Sequence, residues 1–356
     1  MSPTESPDSA DGQDAEDGRR LSLHRLLLRL AGRVPDDEMS RMRMSLADGE
    51  RGELTDLLGA AIAAGHGDPD VLDDPAVRNL LEREGRAVPA APVALIPVPM
   101  HRFTGRRGGD DAVPDQAGSE QLRLTPADEL DQAAVESARR VGDVVALWRV
   151  FRRGEAGTLL RVYLCEARAG SDVVEMTAEM QYALEELGER PSRVEVFHDT
   201  GETLTAYHEQ ALTAALPVWA ADSVPVRLAR VFDGAEESGP YFSDDHLRLT
   251  GPDRDRVLAY LRSGTPVLDS VGTMDDVVRP ERVACVPVDF RSDRVWVWTE
   301  AVAYYLAEYD LAPEPDLMSH ILGGPPPVRA LGRYDRQRVT AALFAPAERE
   351  PVWQAG

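Results

Sequence analysis

The chain has 356 residues, 43% of them hydrophobic, and a formal net charge of −23. All 39 basic residues are arginines, which excludes a Walker A lysine, a Schiff-base lysine and a lysine general base. The acidic excess argues against nucleic-acid binding, because that function needs basic side chains to neutralise phosphates, and it favours a basic partner.

The first 18 residues carry six acids and no base. A secretory signal has the opposite character, with a basic start and an apolar middle. We therefore predict a disordered acidic tail over residues 1–19 of a cytoplasmic protein. No apolar run approaches the ~20 residues that span a bilayer, so no membrane segment is expected.

Residues 20–87 are predicted to form a small helical bundle, because leucine, methionine and alanine recur at spacings near three and four. A mixed α/β domain is predicted over residues 88–234, with a mobile loop at residues 102–122. Within this domain the order α-β-β-α-β-α-β favours a mixed sheet with helices packed on it, and SVPVRLARVF at residues 223–232 is the last predicted strand.

The last third of the chain is predicted to be a second, smaller module. Residues 235–324 show a helix, a hairpin and a helix, and residues 325–356 show a proline-rich linker and a terminal helix. The predicted fold class is therefore α+β: a small N-terminal helical bundle, a mixed-sheet domain and a C-terminal helix/hairpin/helix module. The sequence does not set the oligomeric state.

Four segments carry a family resemblance: RVYLCEA, RVEVFHDTGE, DRVLAYLRSGTPVL and DFRSDRVWVWTEAVAYYLAEYDLAPEPDL. Over residues 125–320 the chain resembles large uncharacterised actinobacterial protein families, which agrees with the absence of lysine. Such proteins are often found around secretion, toxin or immunity loci. The resemblance implies an immunity-type or secretion-accessory protein, and it attaches no activity.

Polar residues near the ends of predicted strands are the candidate catalytic group. His198 and Asp199 follow the strand RVEVF, Cys165 lies near the end of TLLRVYLCEA, and Asp233 follows SVPVRLARVF. If these strands are parallel neighbours, the imidazole could activate the thiol as the nucleophile of a hydrolase. The alternative is a buried, reduced cysteine and a structural histidine. No CxxC motif is present, so no metal or other cofactor is expected.

The segment RSDRVWVWTEAVAYYL at residues 291–306 is the candidate binding surface. If RSDR is the loop of a hairpin, Pro287 and Asp289 share one face with Trp296 and Trp298, and the other face is aliphatic. The helix after Thr299 has one apolar stripe and can cover only one face. We expect it or a neighbouring domain to bury the tryptophans; a partner surface and a stacking ligand are the alternatives.

A second candidate binding element is the glycine-rich loop that contains Arg106 and Arg107, which could cradle an anion. A mobile surface loop is the other interpretation. Taken together, these patterns favour a non-enzymatic protein that binds a protein partner, with a basic partner favoured by the acidic charge, and no role in binding nucleic acid. A hydrolase with its site around His198, Asp199 and Cys165 is the alternative.

Overall fold

The computed structural model describes residues 7–67, 70–87, 96, 100–105, 128–154, 157–199, 204–222, 224–268, 272–325 and 330–344, with side chains from residue 14 onward. The chain has the predicted α+β fold with N-terminal helices. It divides into two compact units, one ending at Ala221 and one beginning at Asp222. No helix in these ranges is both long enough and apolar enough to cross a bilayer.

The first unit contains seven described helices and five described strands. Its helices are α1 (Pro7–Leu30), α2 (Asp36–Ala47), α3 (Arg51–Ala63), α4 (Pro75–Arg83), α5 (Glu129–Val141), α6 (Val173–Glu186) and α7 (Ala206–Ala214), with a 3-10 turn at Val71–Asp73. Its strands are β1 (Phe103–Thr104), β2 (Val144–Arg153), β3 (Leu159–Ala167), β4 (Val194–His198) and β5 (Leu216–Ala220).

The N-terminal helix begins earlier than predicted. Residues 7–19 belong to α1 rather than to a disordered tail, and residues 1–6 lie outside the described residues. Glu16 of α1 pairs with Arg19, three residues on in the same helix, and with Arg51 of α3. The prediction of disorder depended on an excess of acids without bases, and these pairs supply Glu16 with basic partners from later in the chain.

The four N-terminal helices form the predicted bundle, but the bundle is not a separate domain. Leu26, Met42, Leu54 and Leu80 share one buried cluster, and Val174 of α6 belongs to the same cluster. The bundle at residues 20–87 and the mixed sheet therefore form one unit, because the helices bury their apolar stripes against a helix of the sheet layer.

The sheet of the first unit has the order β1-β2-β3-β4, and β5 also pairs with β2. The predicted hairpin of β2 and β3 is antiparallel, and β3 and β4 are parallel neighbours. The predicted order of elements is confirmed, but the last strand is LPVWA at 216–220 instead of residues 223–232. The boundary between units therefore follows Ala221 and not residue 234.

Helices of the bundle cover the outer edge of β4. The carbonyl oxygens of Val194 and Val196 point away from β3, and side chains fill the place of another strand. Arg43 Nη1 donates to Val194 O at 2.7 Å, and His24 Nε2 donates to Val196 O at 2.8 Å. An edge strand exposes unpaired backbone groups, and these two contacts satisfy two of them.

The second unit contains the remaining elements. Its helices are α8 (Gly251–Ser263), α9 (Glu300–Tyr309), α10 (Pro315–Gly323) and α11 (Arg333–Leu343). Its strands are β6 (Arg227–Leu228), β7 (Gly234–Glu236), β8 (Gly239–Tyr241), β9 (Thr265–Leu268), β10 (Thr273–Met274), β11 (Val286–Pro287), β12 (Phe290–Ser292) and β13 (Trp296–Thr299).

The main sheet of this unit has the order β6-β13-β12-β9 and is covered on both faces. Helices α8, α9 and α10 pack on the face that carries Trp296 and Trp298. Val339 of α11 packs against Val297 on the opposite face. The terminal helix, predicted to follow a linker, is therefore part of this unit's core.

Candidate functional site

The two tryptophans that suggested a ligand platform are core residues. Trp296 and Trp298 are 4% and 1% exposed, and they pack with Leu261 of α8 and Leu306 of α9. The indole Nε1 of Trp298 donates to the carbonyl of Leu261 at 3.1 Å. The helix after Thr299 thus folds onto the tryptophan face, which leaves neither indole available for stacking on a ligand.

The predicted hairpin register is wrong. Arg291 lies opposite Trp298 and Ser292 lies opposite Val297, so the connection is shorter than RSDR. Asp293 explains the tighter turn, because its Oδ1 accepts from the amides of Val295 at 2.9 Å and Trp296 at 2.7 Å. The tryptophans still share one face, as the period of two in a strand requires.

The other two residues of the predicted binding face lie elsewhere. Pro287 pairs with Thr273 in the small ribbon of β10 and β11 and is not opposite Trp298. Asp289 precedes β12, and its carbonyl oxygen accepts from the amide of Glu300 at 2.8 Å. Both residues are half-buried at the start of α9, so the four predicted binding residues do not form one surface.

The strand-end candidates Cys165 and His198 lie on parallel neighbouring strands, as the hydrolase hypothesis requires. Cys165 is opposite Val196, and His198 is opposite Ala167, so both side chains face the same side of the sheet. The thiol is completely buried, and burial together with Glu166 raises its pKa to about 12. A nucleophilic cysteine needs a lowered pKa and access, and this environment supplies neither.

The remaining strand-end candidates make local structural contacts. His198 Nε2 donates to the carbonyl of Ser171 at 3.1 Å, and Asp199 Oδ1 accepts from the amide of Ala169 at 3.1 Å. Both contacts hold the turn between β3 and α6. Asp233 belongs to the second unit, where it accepts from the amide of Ser243 and lies 2.9 Å from His246 Nδ1.

Because Cys165 is buried and its pKa is raised, we expect iodoacetamide at pH 7.5 to leave it unmodified in the folded protein. Cys285, which is half-buried, is the internal reference and should react faster. Peptide mass spectrometry before and after unfolding in guanidinium measures both sites. Alkylation of Cys165 ahead of Cys285 in the folded protein would restore the thiol to the list of candidate nucleophiles.

A buried ion-pair network that the sequence did not reveal lies on the other face of β4. Glu195 accepts from Arg43 Nη2 at 2.5 Å, and His208 Nε2 lies 3.3 Å from the same oxygen. Burial alone would raise the pKa of Glu195, but Arg43 and His208 outweigh it and lower the pKa. His208 is fully buried and also contacts Thr205, so the network is closed to solvent.

A second buried network joins α5 to the sheet. Asp131 is fully buried and accepts from Tyr163 Oη at 2.7 Å, from Arg161 at 3.2 Å and from Arg149. Asp128 adds a short ion pair to Arg161, and this hydrogen bond holds the pKa of Asp128 well below its usual range. Each charge has an opposite partner, which is the condition under which charges are tolerated in a core.

An acidic surface surrounds the exposed side chain of Tyr182 in the first unit. We define it as Asp48, Glu50, Glu53, Glu175, Glu179, Tyr182 and Glu186. Glu175, Glu179, Tyr182 and Glu186 recur at helical spacing on one side of α6. The hydroxyl of Tyr182 donates to the Asp48 carboxylate at 3.3 Å, which joins α6 to the α2–α3 connection.

Like charges are crowded on this acidic surface. Hydrogen bonding and repulsion from Glu53, with a further contribution from Asp48, raise the pKa of Glu50. Arg41 neutralises Glu53 at 2.6 Å and Arg140 neutralises Glu179 at 3.3 Å. Tyr182 is 48% exposed among these acids, so an aromatic ring and uncompensated carboxylates are available to a partner at one place.

The chain matches no family model, curated protein or solved structure in the comparisons made. Within the described ranges, no group of three or more histidine, cysteine, aspartate or glutamate side chains is arranged to hold a metal ion. Arg106 and Arg107, the predicted anion-binding pair, lie outside the described residues. The acidic surface is therefore the candidate functional site that the described geometry supports best.

Proposed function

We propose that the protein acts by binding a protein partner that presents basic side chains, and that the acidic surface around Tyr182 is the contact. The exposure of Tyr182 between Asp48 and the carboxylates of α6 is the observation that carries the proposal. Tyrosine is enriched among residues that dominate binding energy, and its ring can also receive an arginine or lysine of the partner. Repulsion around Glu50 would be relieved by such a cation.

The wider role that we propose rests on the family resemblance, and the net charge of the chain agrees with it. The resemblance implies a binding protein of immunity type or an accessory of a secretion or conflict system. The proposed cytoplasmic location rests instead on the acidic N-terminus, which is unlike a secretory signal. A net charge of −23 steers basic proteins toward the chain and repels nucleic acid. The buried, high-pKa thiol of Cys165 gives the alternative, a hydrolase, no comparable support.

A fluorescein-labelled nona-arginine peptide is a direct probe of the acidic surface. We expect it to bind the intact chain with an affinity that falls as salt is raised, since exposed charges are screened. Tyr182→Ala, which leaves the net charge unchanged, should weaken binding about tenfold, as expected for a residue that dominates an interface. Asp48→Asn/Glu50→Gln should weaken it comparably. Fluorescence anisotropy of the labelled peptide measures its affinity for the wild type and for the two variants.

Matched variants in the second unit separate a local site from overall charge. Tyr241→Ala removes a tyrosine that is 40% exposed, and Glu236→Gln/Glu237→Gln removes two exposed acids. Both should bind the peptide within about twofold of the wild type. Equal losses in the two units would contradict the assignment of the acidic surface, because attraction by net charge alone would then explain the binding.

A further inference from the structure

A groove with the opposite local charge lies on the N-terminal helices of the first unit. It is a cavity of about 590 Å³ lined by residues of α1, α3 and α4, by the last turn of α2 and by Glu175 of α6. Its apolar lining includes the half-buried Leu23 and the edges of the buried core residues Leu46, Leu54 and Leu80. Cavities of roughly 300–1,000 Å³ with apolar walls and a few polar groups are the usual form of a small-molecule site.

The polar part of this groove is dominated by arginine. Arg19, Arg20, Arg51 and Arg83 line it together with only two acids, Glu16 and Glu175. Among the residues that the structure describes, Arg83 has no acidic partner, and its side chain is exposed. Four arginines around one apolar cavity are unexpected in a chain with a net charge of −23. The groove is thus complementary to a ligand that combines an apolar body with an anionic group.

Glu16 shows how the groove holds a carboxylate. Its Oε2 accepts from Arg19 Nε at 3.1 Å and Nη2 at 2.6 Å, and its Oε1 accepts from Arg51 Nη2. The hydrogen bond from Arg19 is the largest cause of its lowered pKa, so the group is charged at neutral pH. The fork of N–H groups on a guanidinium can thus hold a carboxylate through more than one hydrogen bond. A ligand carboxylate would compete with Glu16 for Arg51.

We propose that this groove binds a small amphipathic carboxylate, with its tail on the leucines and its head on Arg51 in place of Glu16. The ligand class follows from two features of the cavity. A bare anion such as phosphate would make no apolar contact with this lining. The volume of the cavity suits a single chain of about ten carbons. The groove adjoins the acidic surface around Tyr182, because Glu175 belongs to both, and Glu16 acts as an internal competitor.

Decanoate is the probe, and decanol and decyltrimethylammonium are comparison ligands with the same tail length. Isothermal titration calorimetry on the full chain measures the affinity and the stoichiometry of each. We expect decanoate to bind one-to-one and the other two to bind at least about tenfold more weakly. Arg51→Met should weaken decanoate about tenfold, whereas Glu16→Ala should tighten it by removing the competitor. Arg41→Met, which removes an exposed arginine outside the groove, should leave affinity unchanged.

Several results would overturn the proposal. Equal binding of decanol and decanoate, or an Arg51→Met variant that binds like the wild type, would exclude the arginine-held head group. Weaker binding in Glu16→Ala would contradict the competition. An acidic amphipathic peptide that binds the groove where decanoate does not would assign it to a protein segment instead. Circular dichroism checks that the variants fold. We expect them to fold because the side chains of Glu16 and Arg51 are partly exposed.

Discussion

Replacing Arg43 with methionine is expected to lower the free energy of unfolding by about 3–5 kcal/mol, because it leaves the buried carboxylate of Glu195 without its main partner. The Arg43 and Glu195 side chains are only 3% and 4% exposed, so water cannot take over the lost interaction. The same change also removes the hydrogen bond to Val194 O. Urea denaturation followed by circular dichroism gives the free energy, and hydrogen exchange of β4 peptides localises the loss.

Arg41→Met is the matched control, since Arg41 lies on the same helix two residues away with a 61% exposed side chain. An exposed pair such as Arg41–Glu53 contributes only about 0–1 kcal/mol. The double change Arg43→Met/Glu195→Met should recover part of the stability, because both charges leave the core. A cost of Arg43→Met no larger than that of Arg41→Met would show that the pair is not buried in solution.

The loss of unfolding free energy caused by Arg43→Met should depend on pH, and the direction of that dependence can be predicted. In the wild type the pKa of Glu195 is lowered, so its contribution is present at neutral pH and is lost as the pH falls through the folded pKa. Without Arg43 the pKa of the buried carboxyl should instead be raised, and protonation on acidification should stabilise the variant. The difference between the two proteins is therefore expected to shrink from pH 7 toward pH 4.

Trp298→Ala is expected to cost about 3–5 kcal/mol in the second unit, because it removes a buried indole and leaves a cavity. Trp298 packs between α8 and α9 and has the hydrogen bond from its Nε1 to Leu261 O. Phe344→Ala, at a ring that is 64% exposed, is the control and should cost at most about 0.5 kcal/mol. A small loss in Trp298→Ala would return the indole to the list of candidate ligand contacts.

Gly264 provides an independent test of this packing. A Cβ atom at this position would lie 2.8 Å from Cη2 of Trp298, although the backbone φ of −58° is ordinary for any residue. Gly264→Ala should therefore cost about 1–3 kcal/mol through overpacking alone. In a Trp298→Phe background the cost should fall by at least about 0.5 kcal/mol, since the two positions are in contact.

The sequence was sufficient to predict the order of elements wherever periodicity and strand composition were strong. The hairpin of β2 and β3, and the helices α1–α4 within the predicted bundle, follow directly from apolar spacing. The predicted boundaries of strands and units were wrong where pairing with a strand distant in sequence determines them. Residues 227–228 read as the last strand of the first sheet, but they pair with β13 of the second unit. The local sequence pattern does not indicate which strand residues 227–228 will pair with.

The candidate sites were harder to predict for the same reason. Trp296 and Trp298 were correctly placed on one face, but Asp293 shortened the turn and changed their cross-strand neighbours. The partnership of Glu195 with Arg43 joins residues 152 positions apart, which no spacing rule could suggest. The acidic side of α6 was visible as glutamates at helical spacing, but the approach of Asp48 to Tyr182 depends on how α2 packs against α6.

The covering of β4 by His24 and Arg43 also bears on whether the edge of this sheet can pair with another chain. A bare strand edge is a template onto which a second chain can add, and natural proteins protect such edges. Here the protection comes from imidazole and guanidinium groups of the N-terminal helices, and not from prolines or surface lysines. The bundle therefore caps this edge of the sheet, and removal of these helices is expected to leave backbone groups of β4 open to pairing with a strand of another chain.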